Sequence, residues 1–158
     1  MGAPDVRLRP AVAGDARAVH RTVLAAWKGT VDPRSSGHRL TEAEVDDLLA
    51  AGGGVVAEVG DEVVGSVLWA REGHLVELMK LAVVPAARGA GVAPMLVRAV
   101  EAEAERRGAS GVLLAVSAYN PGLVGWYERL GYRVDATANY AHASPHSPTP
   151  TVLVRPVP

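Results

Sequence analysis

The stretch Leu81 to Leu96, LAVVPAARGAGVAPML, decides how this chain is read. An apolar run leaves through Pro85, turns over Arg88-Gly89-Ala90-Gly91-Val92-Ala93 and opens a helical pattern. The first N–H groups of a helix lack intrahelical partners, and the helix dipole adds about half a positive charge there. Small residues let a phosphate come close to those donors. Pro94 supports the boundary, because proline is tolerated in a first helical turn and not in a helix interior. The pattern predicts a phosphate or pyrophosphate cradle over Arg88, Gly89, Ala90, Gly91, Val92, Ala93 and Pro94; a ligand-free Gly-rich turn is the alternative. There is no Gly-Lys-Ser/Thr as in a P-loop. The spacing is not the GxGxxG of a dinucleotide site, and the acidic residue due ~20 positions later is missing.

Outward from this turn, periodicity lays out the other elements. Val6–Arg9 alternates like a short strand, and Asp15–Trp27 repeats its apolar residues at three and four, as a helix does. Gly29–Arg39, with Pro33 and Gly37, reads as a loop. Thr41 with Glu44 forms a capping box for a helix to about Ala51, which Gly52-Gly53-Gly54 stops. Val55–Val59 and Val63–Ala70 are strands around a Gly60-Asp61-Glu62 turn. Leu75–Val84 is apolar on both faces apart from Glu77 and Lys80, as in an internal strand. A helix follows over Gly91–Arg107, then a strand at Gly111–Val116, a helix at Gly122–Leu130, and strands at Tyr132–Thr137 and Thr151–Arg155. The order β-α-α-β-β-β-α-β-α-β-β predicts an α/β fold, a central mixed sheet with helices on both faces.

The whole composition suits one domain spanning 1–158. Hydrophobic residues make up 49% and charged residues 21%, which excludes a disordered or fibrous chain. With no Cys, disulfides, thiolate nucleophiles and Cys-ligated metals are excluded. Sixteen basic against seventeen acidic residues leave a net charge of −1, so nucleic acid and anionic membrane surfaces are not expected partners. No signal-peptide pattern opens the chain, and the expected location is the cytoplasm. His142 and His146 are four apart, but Pro145 and Pro148 forbid the helix that would align them, and no metal site is expected.

Two motifs carry a family resemblance. Arg88-x-x-Gly91-x-Ala93, after the strand LMKLAVVP, resembles the acyl-CoA-binding motif of the GNAT superfamily of N-acetyltransferases, [Gln/Arg]-x-x-Gly-x-[Gly/Ala]. Asn120 to Tyr132, NPGLVGWYERLGY, is similar to that family's Asn-x-x-Ala-x-x-x-Tyr-x-[Lys/Arg]-x-Gly-[Phe/Tyr] segment. The order of elements matches across nearly the whole chain. Leu123 and Gly125 stand where alanines are common, and Pro94 removes one N–H donor at the cradle's edge.

The resemblance implies an acyltransferase that moves an acetyl group from acetyl-CoA to an amine in a ternary complex, without a metal. It implies pantetheine paired with the backbone of Leu81, Ala82 and Val83, and the pyrophosphate on residues 88–93. Arg88 would add charge to a phosphate, at a position whose role in the family is partly structural, and Asn120 would touch the pantetheine or the acyl end. The Val83 N–H would polarise the thioester carbonyl. Tyr127 stands where the family places a general acid for the departing thiolate; a phenol with pKa about 10 is protonated at neutral pH. Without the motif, Tyr127 reads as an ordinary core tyrosine.

Glu77 lies four residues before Leu81, and strict alternation puts it on that residue's face. It reads as the base for the attacking amine or as a charge at the strand's wet end. Lys80 is expected to snorkel or to pair with a carboxylate. Trp27, Glu77 and Tyr140 are the candidate acceptor-binding residues, and His74, His142, His146 and Trp69 lining or packing residues. The resemblance implies an acceptor pocket formed by the loops at Lys28–Leu40 and Tyr140–Thr151. The acceptor is a small-molecule amine or a protein amine, and the assembly a monomer or homodimer. Glu42, Glu44, Asp46 and Asp47 would suit a cationic acceptor, although such a helix face also serves solubility. A silent acyl-CoA-binding sensor is the competing function, and the presence of Tyr127 favours the enzyme.

Overall fold

In the computed structural model, described over residues 5–138, Tyr140 and residues 148–158, a seven-stranded sheet runs in the order β1-β2-β3-β4-β5-β7-β6. Its strands are β1 (Val6–Pro10), β2 (Gly53–Val59), β3 (Glu62–Glu72), β4 (Leu75–Val83), β5 (Gly111–Val116), β6 (Arg133–Val134) and β7 (Thr151–Pro156). The helices are α1 (Ala16–Trp27), α2 (Glu42–Ala51), α3 (Val92–Arg106) and α4 (Gly122–Arg129). All neighbouring strands are antiparallel except β4 and β5. No helix among the described residues is long and apolar enough to cross a membrane.

Two buried clusters cover the two faces. Val67, Trp69, Val76, Leu78 and Val83 pack under α3 and α4 with Leu96, Val100 and Tyr127. Val56, Leu68 and Ala82 pack under α1 and α2 with Val19, Val23 and Val45. The expected capping box is present, as the Thr41 hydroxyl accepts from the Glu44 N–H at 3.1 Å.

Three local readings change. Gly53 and Gly54 begin β2 instead of only ending α2. The reason is a distant side chain: a Cβ at Gly53 would stand 2.9 Å from the Trp69 indole. The strand expected over Tyr132–Thr137 shortens to β6, because the Asp135 carboxylate accepts from the Thr137 N–H (2.9 Å) and hydroxyl (2.7 Å) and turns the chain. The loop after α1 contains a short 3-10 turn at Ser36–Arg39.

The edge of the sheet is tied to α1 by charge. Arg9 forks onto Asp15 with bonds of 2.8 and 2.9 Å, and the Val12 N–H donates to the same carboxylate at 2.8 Å. Arg9 also donates to Glu58 on β2. Asp15 is buried, and the Arg9 hydrogen bonds hold its carboxyl below the usual 3.8. The unfolded chain therefore takes up this proton at a higher pH than the folded one. The contribution is complete above the unfolded value and is lost as pH falls through the folded one. Asp15→Asn is expected to cost roughly 1–3 kcal/mol at pH 7 by chemical denaturation. The gap to the parent protein should narrow below about pH 4.

Candidate active site

The site begins with a slip of register in β4. Ser66 of β3 faces Ala82 and Leu68 faces Met79, so β4 carries one residue more than β3 over this interval. The surplus is absorbed at Lys80, whose φ of 53° makes it the one non-glycine residue with positive φ among those described. A bulge re-aims side chains. Val76 and Leu78 point toward α3 and α4, Met79 toward α1 and α2; beyond the bulge Leu81 and Val83 return to the α3 side and Ala82 to the α1 side.

This overturns the strict alternation expected from sequence. Glu77, between Val76 and Leu78, lies on the α1 and α2 face, opposite Leu81. It is 3% exposed, which also removes the reading of a charge at a wet strand end.

The same stretch is where the sheet opens. β4 and β5 pair only from Leu75 with Gly111 to Glu77 with Leu113. Beyond Glu77 β5 continues against β7 alone, and the two parallel strands part. Val84 donates to Val64 of β3, so antiparallel alternation turns the N–H and C=O of Val83 away from β3, toward the gap. Ala82 alternates the other way, and its backbone groups face β3. Of the three residues expected to offer backbone there, Leu81 and Val83 remain, and the Leu81 carbonyl accepts from the Trp27 indole N–H at 3.2 Å.

The cradle forms at the end of this opening. Gly89 and Gly91 take φ of 84° and 77°, a region that costs an L-residue its Cβ clearance. Gly91 is the N-cap of α3 and brings no side chain to the helix end. Met95 already bonds to Gly91, and Pro94 has no N–H, so the first-turn donors are Val92 and Ala93. A Cβ at Gly65 would lie 3.0 Å from Val92 and 3.2 Å from Leu96, which shows how closely the start of α3 rests on β3.

Two motif residues also fasten the surrounding loops. The Arg88 guanidinium donates to the Ala26 carbonyl at 2.6 Å, a positive charge at the negative end of α1. It positions the loop. Asn120 accepts from the Asp32 N–H at 2.9 Å and donates to the Ser35 hydroxyl at 3.1 Å. Arg34 stacks over Tyr119 at 4.2 Å. The loop after α1 is thus fastened to the loop after β5, across the gap between β4 and β5.

Tyr127 is 8% exposed and belongs to the cluster that includes Val83, Val92 and Val116. Its ring meets Trp126 edge-on at 4.9 Å and Tyr132 at 5.9 Å. No described residue gives its hydroxyl a hydrogen-bond partner. Burial pushes its pKa well above the ordinary phenol value, so it stays protonated. Tyr132 is held in turn, as its hydroxyl donates to buried Glu101 at 2.9 Å, which also receives Arg98 and Arg155.

On the other face, Glu77, Lys80, Trp27 and Tyr140 come together. The Lys80 ammonium lies 5.8 Å from the centre of the Trp27 ring. Burial lowers its pKa, while Glu44 and Glu77 pull it back up. Tyr140 is half-buried, and burial followed by the nearby Glu77 charge raises its pKa. His74, expected to line or pack, is instead exposed in the β3–β4 turn, and Trp69 is a core side chain. His142 and His146 lie outside the described residues. Sequence reading missed Lys80's backbone, the Arg88–Ala26 tie and the Asn120 latch. The bulge has no local signature, and the two ties join residues 62 and 85 or more positions apart.

With this geometry established, similarity to known proteins is specific. The chain belongs to the Acetyltransferase (GNAT) family, which it matches over residues 21–132. It is an acyltransferase. Acetyltransferase ECA0875 of Pectobacterium atrosepticum is 38% identical over 110 residues, covering 70% of this chain and 72% of that one. The fold is also similar to the PaiA N-acetyltransferase of Thermoplasma acidophilum, solved with coenzyme A (TM-score 0.78, 13% identity, 96% of this chain and 99% of that one). Another similar fold is the ribosomal-protein-S18-alanine N-acetyltransferase of Escherichia coli (TM-score 0.75, 15% identity, 97% and 94% covered).

The cradle yields a direct test. Gly91→Glu puts a bulky anion at the start of α3 and forces an L-residue into the left-handed region. Calorimetry should show binding of coenzyme A lost, while the far-UV circular dichroism spectrum is kept. Unaltered affinity would place the pyrophosphate elsewhere.

Proposed function

We propose that this protein transfers the acetyl group of acetyl-CoA directly to a primary amine, with Tyr127 as general acid and Glu77 as base. The observation that carries this reading is the arrangement of the two groups about the gap. Tyr127 stands on the α3 and α4 face, and Glu77 on the α1 and α2 face. Between them β4 and β5 have parted. A thioester laid in the gap meets an acid on its sulfur side and a carboxylate on the side from which an amine arrives.

The steps follow from the residues. The diphosphate rests on the N–H groups of Gly89 to Ala93. Pantetheine runs along β4 and pairs with Val83, as an added strand would. The carbonyl oxygen is polarised by a backbone N–H at the opened edge, and developing negative charge there is stabilised by a donor already in place. The amine gives up a proton toward Glu77 and attacks; the tetrahedral intermediate collapses and the C–S bond breaks. Tyr127 hands its proton to the thiolate, whose parent thiol has pKa near 8.5. Trp27 and Tyr140 flank the approach of the amine, and the latched loop after α1 shapes its entrance. Glu44 and Glu77 on this face act on the Lys80 ammonium, so an acceptor meets both signs of charge there.

Tyr127→Phe removes one hydroxyl and keeps the ring contacts. It should lower kcat roughly ten- to a thousand-fold with little change in the affinity for acetyl-CoA. The assay is a screen of primary amines with acetyl-CoA that follows thiol release. An unchanged kcat would retire Tyr127 as the acid. Tight binding of acetyl-CoA with no amine-stimulated release would favour a silent sensor.

A further inference from the structure

We propose that Lys80 is an internal acceptor, and that bound acetyl-CoA acetylates its Nζ within the same molecule; this rests on the acetyltransferase reading above. Three observations meet on this side chain. It sits at the bulge, in the position immediately before Leu81, where β4 has left β5. Its backbone is left-handed, a conformation that is strained for any residue carrying a Cβ. A glycine would adopt it freely, yet the chain carries a lysine there. The ammonium is drawn inward: it lies over the Trp27 ring with Glu77 and Glu44 as its Coulombic neighbours, and Tyr140 faces the same Glu77.

That is the environment an incoming amine needs. An aromatic wall holds the cation and a carboxylate stands ready for the proton. Lys80 presents an amine on the acceptor's face, beside the proposed base, and half-buried. Burial also lowers its pKa from 10.5, which enlarges the unprotonated fraction able to attack. The chain has one other lysine, Lys28, which is exposed at the end of α1 and serves as an internal control.

The ammonium loses one proton to Glu77, and the free amine attacks the thioester carbonyl. An N–C bond forms and the C–S bond breaks. The nitrogen sheds its second proton as the amide forms, and the thiolate takes a proton from Tyr127. Glu77 and Tyr127 are restored through solvent, so the products are an acetyl-lysine, the free coenzyme thiol and one proton. The new amide is neutral, which removes a partly desolvated charge from the site. It also fills the acceptor side, so acetylated protein should turn over external amines more slowly.

The test uses the intact protein with acetyl-labelled acetyl-CoA and no added amine, followed by digestion and mass spectrometry. Acetyl should accumulate on Lys80 and not on Lys28, with a first-order rate that does not change with protein concentration. Lys80→Arg, which keeps the charge, should abolish the label. In protein unfolded with urea the two lysines should react alike. Equal labelling of both lysines in folded protein would assign the reaction to spontaneous chemistry and overturn the inference. A rate that rises with protein concentration would overturn transfer within one molecule. No label on Lys80 in protein that calorimetry shows to bind acetyl-CoA would overturn it while leaving the transferase reading standing. Protein that binds no acetyl-CoA would overturn both.

Discussion

One extra residue in β4 governs this molecule. An antiparallel ladder tolerates a surplus residue only by lifting it out of register, and the strand then bends and twists. Here that bend lies close to the place where the parallel pairing of β4 with β5 ends, after Glu77 with Leu113. A parallel pair that stayed zipped would bury its backbone groups in the ladder. A parted pair leaves the Val83 N–H and C=O aimed into an opening. The same slip changes which face each side chain meets. It puts Glu77 and Lys80 with α1 and α2, and it leaves Leu81 with the cluster that holds Tyr127.

The rest of the fold keeps that opening in shape. The start of α3 is pressed onto β3 because Gly65 leaves no Cβ between Val92 and the sheet. Arg88 ties the loop before α3 to the end of α1, and Asn120 ties the loop after α1 to the loop after β5. Tyr127 is braced by two aromatic edges, one of them Tyr132, whose hydroxyl is pinned to Glu101. Glu101 is a buried carboxylate that carries two arginines and a tyrosine. Removing one partner of such a group leaves charge or polarity unpaired in the interior, which is costly. These ties are structural, and each acts on a part of the site that needs a fixed position.

Much of this was legible before any coordinates. Period-two and period-three-to-four patterns located the strands and helices, since both report which face is buried. The Gly-rich turn before Val92 announced an open helix end, and Thr41 with Glu44 announced the start of α2. What stayed hidden has a common cause. Lys80's left-handed backbone has no local signal, because lysine has no preference for that region. The bulge exists only relative to β3, and strict alternation through Leu81 therefore put Glu77 on the wrong face. Gly53 looked like a helix stop because the Trp69 ring that demands it lies on another strand. The motif residues Arg88 and Asn120 were visible in the sequence, but their partners, Ala26, Asp32 and Ser35, were not. Resemblance located those positions, and the structure adds the protein groups that hold them, the Ala26 carbonyl for Arg88 and the Asp32 N–H and Ser35 hydroxyl for Asn120.

Catalysis in this fold requires a ligand laid in the gap between β4 and β5. A crystal structure of the protein with coenzyme A tests it most directly. The diphosphate should lie against the N–H groups at the start of α3, pantetheine beside Val83, and the sulfur between the parted strands near Tyr127. Coenzyme A bound on another surface, or β4 and β5 paired beyond Glu77 with no room between them, would contradict it.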